Sequence, residues 1–114
     1  MKALRDIGLS DRDRHAVEAA AEALRGHFPV ERVILFGSKA RRQDDAESDI
    51  DLLVLTSRPL TRREKHQVVE VLYPLQLDLE VVFSTLEVPR DDWEHGLYQV
   101  LPLRVEIERD GVLV

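Results

Sequence analysis

Two short apolar runs set most of what this chain can fold into. Val33, Ile34, Leu35 and Phe36 follow one another without a polar break, and from Ile50 to Leu55 only Asp51 interrupts a second run. Each is too short for a buried helix, and a strand that is apolar at both parities needs cover on both of its faces. The chain must therefore carry helices to lay over a small sheet.

The rest of the sequence supplies them. Ser10 is a plausible N-cap, after which Val17, Ala20, Ala21, Leu24 and Phe28 recur at helical spacing until Gly26 and Pro29 close the segment. Thr61 followed by Glu64 is a capping-box signature, and Val68, Val69, Leu72 and Leu75 give the helix behind it an apolar stripe. The stretch Leu75 to Phe83 alternates and then turns fully apolar, so it reads as a third strand. Pro89 with Asp91 and Asp92 looks like the first turn of a last helical region, broken in two by Gly96 and Pro102 and ended by Gly111. The order helix, strand, strand, helix, strand, helix predicts an α/β (α+β) fold, one small β-sheet backed by helices, over a single domain spanning residues 1–114; periodicity alone does not settle strand directions, and a mixed sheet is expected.

Composition narrows the function classes. The 114 residues are 44% apolar and 33% charged, with no run near the ~18 apolar residues of a membrane helix and no basic-then-apolar N-terminal signal. The absence of cysteine excludes thiolate metal sites and thiol nucleophiles and fits a reducing cytoplasm. A net charge of −6 argues against a dedicated nucleic-acid binder, whose affinity comes mostly from Lys and Arg on phosphates.

The chemistry concentrates where the two apolar runs meet their loop, in "GSKARRQDDAESDIDLLVL". In a strand, residues two apart share a side, so Asp49 and Asp51 present two carboxylates together while Ile50 points into the core. Such groups repel, and a bound cation relieves the repulsion; all-oxygen ligands suit a hard ion, Mg²⁺ or Mn²⁺. Asp78 and Glu80, also two apart, offer a third carboxylate if their strand lies beside the second. Gly37 lets backbone approach a ligand closely, and Ser38 at a helix start offers a hydroxyl and N–H groups to phosphate oxygens, with Lys39, Arg41 and Arg42 as nearby cations. Metal ligands on one side and phosphate-binding groups on the other describe a nucleoside triphosphate site and a nucleotidyl transfer. A Walker loop is absent, and the acids precede their apolar strand, unlike those of Asp-x-Asp phosphatases.

Gly37, Ser38, ten residues, then Asp49, Ile50 and Asp51, with Ala40, Arg41 and Ser48 between, resemble the signature of the minimal nucleotidyltransferases of the DNA polymerase β-like superfamily. Arg42 stands where that family often has Gly. The resemblance implies a small α/β fold, Mg²⁺ as cofactor and ATP or another nucleoside triphosphate as donor. It implies Asp49 and Asp51 as metal ligands, one of Asp78 and Glu80 as a third acid, and Gly37 and Ser38 as holders of the triphosphate. Many prokaryotic members are antitoxins that bind a HEPN-domain toxin, and some transfer AMP to it. The readings left open are an enzyme that modifies such a toxin, a non-catalytic module that neutralises it by binding, and a transferase acting on a small molecule, which would need a further acceptor domain.

The remaining polar residues read more plainly. His15, His27, His66 and His95 have no converging spacing, Arg62, Arg63 and Lys65 look like a solvated helix start, and Asp44, Asp45 and Glu47 look like loop solubilisers. Trp93, Tyr98 and Leu101 are expected in the core or against a partner.

Overall fold

The computed structural model describes residues 1–41 and 48–114. In chain order the elements are β1 (Lys2–Ala3), α1 (Asp11–His27), β2 (Val30–Phe36), α2 (Gly37–Arg41), β3 (Ile50–Thr56), α3 (Arg62–Leu79), β4 (Phe83–Pro89), α4 (Arg90–His95), α5 (Pro102–Asp110) and β5 (Val112–Leu113). Short 3-10 turns cover Leu4–Asp6 and Leu97–Val100. The sheet runs β1-β5-β2-β3-β4, with β2 antiparallel to β3 and to β5, and β3 parallel to β4. This is the expected mixed sheet backed by helices, extended by two short terminal strands that carried no sequence signal.

Both apolar runs are buried on both faces, as their patterns require. Val33, Leu35, Ile50, Leu52 and Val54 face a core shared with Ala16, Ala20 and Leu24 of α1 and with Val68 and Leu72 of α3. Ile34, Leu53, Leu55 and Val88 face the other way, against Trp93 of α4 and Ile107 of α5. At roughly 1.5–3 kcal/mol per buried large aliphatic side chain, these two layers dominate the stabilisation and fix strand register, since a one-residue slip would exchange the faces.

The helix starts follow the sequence closely. The Ser10 hydroxyl accepts a hydrogen bond from the Asp13 N–H at 3.1 Å. Thr61 and Glu64 form the reciprocal capping box, and Arg58 clamps Glu64 through both guanidinium nitrogens, which lowers the Glu64 pKa to about 2. The last helical region is broken between α4 and α5 as Gly96 and Pro102 predict, with Gly111 at the end of α5.

The third strand is corrected. The segment Leu75 to Phe83 is not a strand: α3 continues through Asp78 to Leu79, Glu80 follows in a left-handed conformation (φ 55°), and the strand is Phe83–Pro89. The alternation of Leu75, Leu77 and Leu79 was ambiguous with a helical stripe. In the fold Val68, Val71, Leu72, Leu75 and Leu79 pack on the core from one helix face, and Leu77 is left exposed. The side-chain carbonyl of Gln76 then accepts from the Phe83 N–H at 2.8 Å, joining the helix end to the strand start.

A second correction concerns Lys39. Its side chain is 1% exposed and its Nζ lies 2.7 Å from Oδ2 of Asp13, itself buried in α1. This lysine, expected among the phosphate-side cations, turns into the protein and ties α2 to α1. Removing one member of a buried ion pair strands the other charge, at a cost of about 3–5 kcal/mol, whereas replacing both by apolar groups of similar volume is close to neutral. Asp13 also lies 3.5 Å from Arg12, so denaturant unfolding should show Asp13→Leu and Lys39→Met each lowering stability, with the double variant losing less than the sum of the two. Equal and additive losses in the two single variants and their combination would contradict this account.

Candidate functional site

The site is built by the join between β2 and α2. Pairing of β2 with β3 sets Phe36 opposite Asp51, so the residue after Phe36 passes directly beneath that side chain. It is Gly37, with φ +76°, a conformation L side chains rarely adopt. A Cβ there would lie 2.2 Å from Oδ2 of Asp51. Glycine is thus required twice, by its dihedral and by the carboxylate resting on it. Ser38 follows in the first turn of α2, and Arg41 closes that helix.

Asp49 is exposed and Asp51 half-buried, and the two interact. The Asp51 pKa is raised above its ordinary value of 3.8, first by burial, then by the charge of Asp49 and more weakly by Glu106, while Arg41 pulls it down. Arg41 forms an ion pair with Glu106 of α5, which holds α2 against α5. Glu106 is the site neighbour that sequence reading missed: it lies far along the chain on an amphipathic helix, and no spacing links it to Asp51.

The predicted third carboxylate is not assembled. Asp78 sits in the last turn of α3 and Glu80 on its left-handed cap, so the two do not share a strand face. Neither is among the groups that shift Asp51, and among the described residues no three acidic, His or Cys side chains gather as a metal seat. The β4 residue in register with Asp51 is Ser84, exposed and neutral. Lys39 is withdrawn by its buried pairing with Asp13, and Arg42 lies outside the described residues, as do Asp44, Asp45 and Glu47. Gly37, Ser38, Arg41, Asp49 and Asp51 are what the structure brings to one end of the β2/β3 pair.

That set fits a hard divalent cation. It offers two carboxylates side by side, the pKa of one raised by burial and by its twin, and a dication with oxygen ligands would offset both effects. The histidines do not enter: the His27 ring bonds the Ala23 carbonyl, and His95 lies beside Glu94. Among the described residues no helix is long and apolar enough to cross a membrane.

Known proteins place this geometry. A Methanocaldococcus jannaschii protein named as a protein adenylyltransferase is 37% identical over 57 residues, which are 50% of this chain, and the chain spans 58% of that relative's length. Among solved structures, a toxin–antitoxin complex with AMP-PNP superimposes with a TM-score of 0.58 at 16% identity, covering 84% of this chain and 69% of the other. An MNT antitoxin complex with a tri-AMPylated Shewanella oneidensis HEPN toxin gives a TM-score of 0.54 at 16% identity, covering 88% and 69%. At such identity these two likenesses establish a shared fold. The family model described as polymerase beta nucleotidyltransferase matches residues 18–101, most of the chain and both the Gly-Ser turn and the paired aspartates, and the protein belongs to that nucleotidyltransferase family.

Proposed function

We propose that this protein transfers AMP, or another nucleoside monophosphate, from a nucleoside triphosphate to a hydroxyl of a partner protein, and that the partner is a HEPN-class toxin which it neutralises in the cytoplasm. The observation that carries the reading is the Asp51 carboxylate seated on Gly37 beside Asp49, directly before the first turn of α2. The adenylyltransferase name of the archaeal relative and the toxin–antitoxin setting of the fold neighbours support the choice of donor and acceptor.

In this reading Asp49 and Asp51 hold Mg²⁺ or Mn²⁺, which when bound neutralises the phosphates and favours loss of pyrophosphate. Gly37 and the Ser38 hydroxyl and backbone meet phosphate oxygens, and Arg41 adds positive charge at the same end. The acceptor oxygen bonds to the α-phosphorus, the bond from that phosphorus to its bridging oxygen breaks, and pyrophosphate leaves. The hydroxyl proton passes to water. The second reading is neutralisation by complex formation alone.

Labelled ATP, Mg²⁺ and the product of the neighbouring gene, tested as the toxin, separate the two. Wild-type protein should label the toxin, and Asp49→Asn should cut labelling by about 100-fold or more while circular dichroism stays unchanged and the metal-free variant melts no lower than wild type. Neutralisation that survives loss of both aspartates, with no labelling by the wild type, would establish the binding reading.

Two further outcomes follow from the seat itself. Because the folded-state pKa of Asp51 is raised, its contribution to stability is largest below the ordinary value of 3.8 and is lost as pH rises through the raised value. Asp51→Asn should therefore melt higher than wild type at neutral pH without metal, lose that advantage at low pH, and fail to gain stability from added Mg²⁺. Gly37→Ala should cost about 1–3 kcal/mol from the forced backbone and the displaced carboxylate, and should weaken the Mg²⁺-dependent rise in melting temperature.

A further inference from the structure

The outward face of α3 combines features that its role in the core leaves unexplained. Val69, Tyr73 and Leu77, four residues apart, form a continuous apolar stripe with exposures of 65%, 54% and 62%. The exposed ends differ in charge: Arg62 and Arg63 stand in the first turn beside Glu64, which Arg58 already pairs, while Asp78 and Glu80 stand at the carboxyl end, where no basic residue is present. Among the described residues none of these four has an ion-pair partner. In a lone chain both features are unfavourable, the stripe because it is wet and the charges because they oppose the backbone dipole.

One arrangement relieves both. We propose that two copies of this chain associate through α3, packed antiparallel about a two-fold axis passing between Val69 and Tyr73. The stripe then covers itself, Val69 of one copy meeting the Tyr73 region of the other. The basic start of each helix lies over the acidic end of its partner, and the opposed dipoles align favourably. A two-fold interface must be self-complementary in shape and charge, and a helix that is positive at one end, apolar along its middle and negative at the other meets that condition without a second kind of surface. The dimer also leaves the site open. Asp51 points to the sheet face covered by α4 and α5, whereas α3 packs on the opposite face with α1. Asp78 and Glu80, which do not join the site, have a role in this interface.

Sedimentation velocity over a concentration series tests this. The wild-type mass should rise from 13.1 kDa toward twice that value. Tyr73→Glu should weaken association by about 100-fold, as loss of a central aromatic anchor does, with unchanged circular dichroism and melting. Arg62→Glu with Arg63→Glu should weaken it by about 10-fold, and adding Asp78→Lys and Glu80→Lys should restore it, because reversal at both ends recreates the same complementarity. A wild type that stays monomeric throughout, a dimer that survives Tyr73→Glu, or a fourfold charge reversal that fails to restore association would each overturn the proposal.

Discussion

The contact on which the site depends is the backbone of Gly37 lying beneath the Asp51 carboxylate. Antiparallel pairing of β2 and β3 puts Phe36 across from Asp51, and the chain must then leave the sheet under an acidic side chain. Only a residue without a Cβ can do so at φ +76°. Strand register, turn and acid position are therefore one constraint. A slip of one residue would send Asp51 into the α1/α3 core and lift Ile50 into solvent.

Two ion pairs hold the short helix that follows. With five residues α2 is far below the length at which a helix sustains itself, so tertiary contacts must fix it. Lys39 anchors its inner side to Asp13, a buried pair whose loss on one side is costly, and Arg41 ties its outer side to Glu106. Arg41 also opposes the rise in the Asp51 pKa, so the residue that locks α5 in place moderates the charge of the seat. The cations that looked equivalent along the sequence thus divide their work: one is structural, one borders the site.

Much of this was legible in advance where the signal was local. The Ser10 and Thr61 caps, the two doubly covered strands and the break at Gly96 and Pro102 all depend on a few neighbouring residues, and all hold. The errors fell where one pattern served two periods or where the decisive partner was remote. Leu75, Leu77 and Leu79 alternate like a strand, yet the helix begun at Thr61 continues because Leu75 and Leu79 also complete its apolar face. Lys39 read as a surface cation because nothing in the sequence announces Asp13 as its partner, and Glu106 left no trace in spacing.

The sequence by itself determined that a small sheet would form under helices and that Asp49 and Asp51 would share one side of a strand start, since periodicity and side-chain alternation depend only on near neighbours along the chain. Tertiary structure alone decided which charges meet them. It buried Lys39 against Asp13, brought Glu106 and Arg41 to the rim and kept Asp78 and Glu80 on the α3 end, because charge pairing depends on distances that only the packed helices set.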